Sequence, residues 1–173
     1  MKKLALTDFA KYRYPSALEL SPDSRYLTFA LKDVDREGDG YRWNLWLYDL
    51  ERRESRQITQ GDDQRKAVWE DNTHILYKTT EPDEALRARG FEEEWTVYHR
   101  LNVCTGEDRE AFRLPMSVSG LWKMDEGRYV FTGETHLDRP NLLELTGEAL
   151  EKELVRRQQT RGYKVLTELP LCE

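Results

Sequence analysis

The chain is poor in cysteine and histidine, has no long apolar run and carries no block of charge of one sign. Each shortage excludes a class of protein. Cys104 and Cys172 are its two cysteines, too few and too far apart in 173 residues for a disulfide scaffold or a zinc ribbon. Read as reduced thiols, they favour the cytoplasm. His74, His99 and His136 have no partners at ligand spacing, so they read as strand or loop residues rather than metal ligands. After Met1-Lys2-Lys3 only Leu4-Ala5-Leu6 precedes Thr7-Asp8, well short of the roughly 7 to 15 apolar residues of a signal peptide. No stretch approaches the roughly 20 apolar residues of a membrane span. We expect a soluble, unexported chain with no membrane partner. The 27 basic and 33 acidic residues give a net charge of −6, spread along the sequence. A nucleic-acid partner, which needs concentrated basic surface, is not expected.

What is present is aromatic. At 38% apolar and 35% charged the composition is lean in apolar residues, yet five Trp, nine Tyr and five Phe are too many for a disordered tail. Short strands with one wet face suit this mixture. Leu20 to Gly61 reads as one such unit. The turn Ser21-Pro22-Asp23-Ser24 leads into the alternating strand Tyr26-Leu27-Thr28-Phe29, and Asn44 to Leu50 forms a second strand. A charged turn, Glu51 to Glu54, sends the chain back through Arg56-Gln57-Ile58-Thr59. Pro22 fixes φ and Asp23 can bond its own backbone two residues on, so Ser21 reads as a turn residue and not as a nucleophile.

The rest of the chain echoes this unit. Asp23, Asp71 and Asp125 lie 48 and 54 residues apart, and Phe29, Tyr77 and Phe131 each follow six residues later. Tyr48-Asp49-Leu50 with Glu54 matches Leu101-Asn102-Val103 with Glu107 at an offset of 53. A period near 50 with several short strands per repeat is the spacing of a β-propeller. The expected fold is therefore all-β: a partial propeller of two full blades and an incomplete third. Blade 1 would span about 15–61, blade 2 about 62–115 and blade 3 about 116–173. Trp69 and Trp122 precede their turns by two and three residues, so the register of the repeat is open by one.

Additions decorate the repeat. Thr7 can cap a short N-terminal helix carrying Phe9 and Tyr12 on one face, ended by Pro15. In blade 2, strands are expected over Lys66 to Trp69, His74 to Thr79, Trp95 to Val103 and Glu110 to Leu114, with a hairpin turn at Cys104-Thr105-Gly106-Glu107. An insertion, Glu81 to Glu94, interrupts them; Glu84 to Arg89 reads as a helical turn or two, stopped by Gly90. It ends in Glu92-Glu93-Glu94 beside Trp95, carboxylates able to hold the amino terminus of a peptide or to form a solvated charge run. In blade 3, Arg128 to Gly133 is a strand, a helix is inserted near 147–161 with Leu150, Leu154 and Val155 at helical spacing, and Tyr163 to Leu166 reads as a returning strand. Asp33, Asp35, Glu37 and Gly38 match the start of a calcium loop, but the twelfth position is Asn44 rather than a bidentate Glu. A solvated acidic hairpin is expected there, with no metal and no cofactor.

SPDSRYLTF, NLWLYDLERRESRQIT, the Trp-acid turn of the second blade and the helix followed by YKVLTELPLCE resemble the start of the propeller in prolyl-oligopeptidase-family serine peptidases, in the acylaminoacyl-peptidase and dipeptidyl-peptidase branch. The likeness runs over nearly the whole chain, although the single-blade motifs are shared with TolB-like and WD-type propellers. It implies a propeller that restricts which peptides reach a separate α/β-hydrolase domain, and acidic propeller residues that bind the peptide amino terminus in some relatives. Glu92, Glu93 and Glu94 lie in a comparable part of the chain. No G-x-S-x-G elbow is present, since Met116-Ser117-Val118-Ser119-Gly120 lacks the first glycine. No catalytic residue is therefore assigned. The alternative is a non-catalytic propeller that serves as a protein-interaction platform.

Overall fold

In the computed structural model of the chain, residues 8, 11–35, 40–61, 63–135 and 139–160 are described. Alternating apolar residues build a four-stranded antiparallel sheet from β1 (Tyr14–Leu20), β2 (Tyr26–Asp35), β3 (Gly40–Asp49) and β4 (Glu54–Gln57), paired in chain order. Thr28 and Ala30 lie opposite Leu47 and Leu45 on a buried face, while Phe29 stacks on Trp46 across the other. Pro15 lies inside β1, where it was expected to end a helix; β1 is an edge strand, so its missing N–H breaks no ladder. Of the expected N-terminal helix, Asp8, Lys11 and Tyr12 are among the described residues. β4 stops at Gln57 instead of Thr59, because the Thr59 hydroxyl turns in to accept the Leu45 amide.

The pattern repeats in a second four-stranded sheet of β5 (Ala67–Trp69), β6 (His74–Pro82), β7 (Glu94–Asn102) and β8 (Asp108–Leu114), again in chain order. A two-stranded sheet of β9 (Ser117–Lys123) and β10 (Tyr129–Glu134) follows. The leading strands lie side by side, β1 against β5 and β5 against β9, so the sheets stack like blades. Ala30, Leu45 and Leu47 of the first sheet meet Trp69, Ile75, Tyr77 and Leu101 of the second. On its other side the second sheet puts Leu76 and Tyr98 against Val118 and Leu121 of the third. The middle sheet is covered on both faces, which is why Ile75, Leu76 and Tyr77 are buried in succession.

Polar ties cross the seams. The Trp69 indole donates to the Glu19 carbonyl at 3.1 Å, and the Lys78 ammonium donates to the Val118 carbonyl at 2.7 Å. Trp122 is not the counterpart of Trp69. Its offset differs by one residue, which turns it to the opposite face, beside Val130; the two are 48% and 51% exposed.

The matched turns are built alike. Asp49 accepts the amides of Glu51 and Arg52 at 3.0 and 2.9 Å, and Asn102 accepts those of Cys104 and Thr105 at 2.9 and 3.0 Å. Ser21 is a turn residue, its hydroxyl donating to Asp23 at 2.6 Å and accepting the Tyr26 amide at 2.9 Å. The Asp23 carboxyl is held below its ordinary range, first by the Ser21 hydroxyl and then by the Arg25 amide.

Candidate functional site

Two insertions, each following the second strand of its sheet, pack together at one end of the stack. In the first, Asp83 caps α1 (Glu84–Arg87), its carboxylate accepting the Leu86 amide at 3.0 Å. The helix ends at Arg87, short of the expected Arg89, and the turn after it runs to Gly90, whose φ of 82° is open to glycine without strain. In the second, Asn141 accepts the Leu143 amide at 3.0 Å and starts a 3-10 turn over Leu142–Glu144. α2 (Gly147–Thr160) follows where the sequence placed it. Leu86 and Phe91 of the first insertion join Leu142, Leu150 and Leu154 of the second in a small core separate from the sheets. Arg89 and Glu151 close over it with paired bonds of 2.6 and 2.7 Å.

Between this core and the third sheet lies a cleft of about 670 Å³. Its floor is the Pro115–Met116–Ser117 link and the end of β10 from Gly133; its walls include Glu92, Glu93, Glu94, Glu134, Arg139 and Arg157. The floor is fixed by Thr96, whose buried hydroxyl donates to the Met116 carbonyl at 2.6 Å and accepts the Val118 amide at 3.2 Å. Gly133 permits the close approach of β10, since a Cβ there would stand 2.9 Å from the Ser117 carbonyl oxygen.

All three expected carboxylates line this cleft, but they are not equivalent. Glu93 pairs with Arg157 at 2.8 Å, and Arg157 also meets Glu153 at 3.0 Å. Glu153 is buried, and the Arg156 guanidinium, seconded by Arg157 against the opposing effect of burial, holds its carboxyl at about 2. Glu92, Glu94 and Glu134 have no ion-pair partner among the described residues. Trp95 is turned away from a recognition role: its indole donates to Asp83 at 3.1 Å, and the Arg113 guanidinium lies 5.8 Å from its ring.

Among the described residues four carboxylates therefore face two guanidiniums, which suits a cationic group. Ser117 and Thr135 are the hydroxyl side chains of the lining, and neither histidine nor cysteine lines it among the described residues. Among the described residues no hydroxyl of the lining is paired with a base. The sequence reading missed Arg157, Arg139 and Glu134. Nothing local in the sequence signals that Arg157, placed four residues after Glu153 for an intrahelical pair, also reaches Glu93 on another insertion.

The other candidate residues lie elsewhere. Asp33 pairs with Arg13 at 3.0 Å and Asp35 with Arg42 at 3.4 Å, while Glu37 and Gly38 fall outside the described residues. His74 binds Asp71 at 2.9 Å within its turn and Asn102 at 3.2 Å across the β6–β7 pair, and His99 stacks on Tyr77. His136, Cys172 and the expected strand from Tyr163 to Leu166 lie outside the described residues. No described helix is long and apolar enough to cross a membrane.

No family model matches the sequence, and no curated protein matches it. Solved structures do. The β-propeller domain of the Trilobed protease from Pyrococcus furiosus, which has an open velcro topology, superposes with a TM-score of 0.51 at 13% identity. That match covers 71% of this chain and 34% of the other. An acylaminoacyl peptidase from Pyrococcus horikoshii gives a TM-score of 0.57 at 12% identity, over 77% of this chain and 19% of that one. The chain thus spans about a third and a fifth of these two proteins, and what it shares with them is the fold, stacked antiparallel blades of a β-propeller.

Proposed function

We propose that this chain is the substrate-gating propeller portion of a cytoplasmic serine peptidase of the prolyl-oligopeptidase family that hydrolyses short peptides. The α/β-hydrolase chemistry is supplied by sequence outside these 173 residues. The observation that carries the reading is the stack of like-ordered four-stranded sheets, superposable on propellers of two peptidases at the TM-scores given above. Two insertions gathered at one end of such a stack, around an acidic cleft, suit a gate at the mouth of a peptide chamber.

In this reading the cleft receives the ammonium of a peptide amino terminus. Glu92 and Glu94 supply the charge, and Glu93 holds Arg157 and through it α2. Acyl transfer to serine, with histidine as general base and an oxyanion hole for the tetrahedral intermediate, belongs to the other domain.

The coding sequence beyond Glu173 tests the assignment. A G-x-S-x-G elbow followed by Asp and then His is expected, and peptide p-nitroanilides should be hydrolysed by the longer protein and not by this chain. Further 50-residue repeats with no elbow would reject the peptidase and leave an interaction platform. In the longer protein, Glu92→Gln with Glu94→Gln should raise KM for peptides with a free amino terminus and leave N-acetylated peptides unchanged. An equal effect on both substrates would remove the carboxylates from recognition.

A further inference from the structure

A second cavity, of about 260 Å³, lies in the seam between the second and third sheets, with lining residues distinct from those of the acidic cleft. Its apolar lining comes from Val68, Leu76, Val118 and Leu121. Lys78 and Tyr98 stand directly opposite each other on β6 and β7 and both line the cavity. Tyr98 is 4% exposed, and its hydroxyl has no hydrogen-bond partner among the described residues. Lys78 gives one N–H to the Val118 carbonyl, which leaves two of an ammonium's three donors. Arg65 and Lys66 stand at the rim, Arg65 paired with Asp63, the acidic residue of the lining, at 2.7 Å and Lys66 with Glu19 at 3.7 Å.

We infer that this seam cavity binds a small organic carboxylate, its oxygens taking N–H from Lys78 and O–H from Tyr98 and its hydrocarbon body lying on Val68, Leu76 and Leu121. Both facing groups are donors. Burial pushes the Tyr98 phenol up to about 12, so it donates at any physiological pH. The Tyr98 hydroxyl is not sealed from solvent, so an entering carboxylate takes the place of water there. The apolar lining favours an anion with a hydrocarbon body over a free inorganic one, because phosphate would leave that surface uncovered. Of the three cationic side chains at the cavity, Arg65 is paired with Asp63 at 2.7 Å and Lys66 with Glu19 at 3.7 Å, so among the described residues Lys78 brings the charge without a carboxylate partner. The inference is independent of the peptidase reading, for it rests on the seam and not on the insertions.

Isothermal titration of the chain with acetate, butyrate and hexanoate tests it. Affinity should rise by about fourfold per added CH₂ while the body fits the apolar lining. Hexanamide, the same body without charge, should bind at least tenfold more weakly, and inorganic phosphate more weakly than hexanoate. Tyr98→Phe removes one unpaired oxygen and leaves the packing intact; it should weaken hexanoate about tenfold. Lys78→Met should abolish binding, but it also removes the tie to Val118, so Tyr98→Phe is the deciding variant. Absence of saturable hexanoate binding, phosphate binding as tightly as hexanoate, or equal affinity in Tyr98→Phe and the parent chain would each overturn the inference.

Discussion

Arg53 and Gly106 occupy the same place in successive hairpins, and both are left-handed, with φ of 58° and 79°. In each turn the residue's amide donates at 2.8 Å to the carbonyl of the acid or amide that caps it, Asp49 or Asn102. Glycine takes this backbone freely, whereas a residue with a Cβ is strained by roughly 1 kcal/mol. Arg53→Gly should therefore raise stability by about 0.5–1 kcal/mol, and Gly106→Ala should lower it by about 1 kcal/mol, read as opposite shifts of the urea midpoint. These turns were legible in the sequence because Asp49 and Asn102 bond to amides two and three residues away, so their chemistry is local. The orientation of Trp122 was not: an offset of one residue decides which face it takes, and only its pairing with Val130 fixes that. Glu93 was legible as a carboxylate and not as the partner of Arg157, because 64 residues separate the two.

At the scale of elements, the seam between the second and third sheets is held by one buried acid. Glu70 takes paired bonds from Arg100, one of them 2.6 Å, and the Tyr129 hydroxyl, while Lys123 reaches its carbonyl. Burial alone would raise the Glu70 carboxyl, but the bonds from Arg100 and Tyr129 outweigh it and hold the group below its ordinary range. Asp71 goes the same way, to about 2, the amides of Thr73 and His74 overcoming burial. A carboxyl depressed in the folded state stabilises it above its unfolded pKa, roughly 4, and loses that contribution as pH falls through the folded value. The thermal midpoint should thus be flat from neutral pH to about 5 and fall between about 4 and 2. Glu70→Gln should cost about 1–3 kcal/mol at neutral pH and make the acid fall shallower; an unchanged slope would show that Glu70 titrates as an ordinary carboxyl. α2 depends on a different contact. Leu154 is fully buried in the satellite core, and a 14-residue helix is marginal without tertiary packing. Leu154→Ala should cost about 2–4 kcal/mol and speed proteolysis within 147–160, with the sheets retained. The sequence showed this helix by its leucine spacing, but not that its partner is the insertion of the preceding sheet, since no local pattern encodes contacts between insertions.

Taken as a whole, the chain is a one-dimensional stack, and its stability should follow position in that stack. Units that touch only their neighbours contribute a term of their own and one term per interface. The second sheet has an interface on each face; the first has one, and its outward side leaves Leu18 and Leu20 at 59% and 55% exposed. Among the described residues the third sheet has two strands and one interface, with Trp122 and Val130 turned outward. A two-stranded sheet is not independently stable, and among the described residues Leu121, Val118 and the Glu70 cluster are what tie β9 and β10 to the second sheet. Native-state hydrogen exchange should therefore show a gradient along the chain. The amides of β6 and β7 should exchange only through global unfolding, those of β2 and β3 near that limit, and those of β9 and β10 by local opening at lower free energy. Glu70→Gln should speed exchange in β9 and β10 and leave β2 and β3 unchanged, because the clasp joins only the second and third sheets. Uniform protection across the ten strands would mean that the chain unfolds as one cooperative block and that the sheets are not separable units.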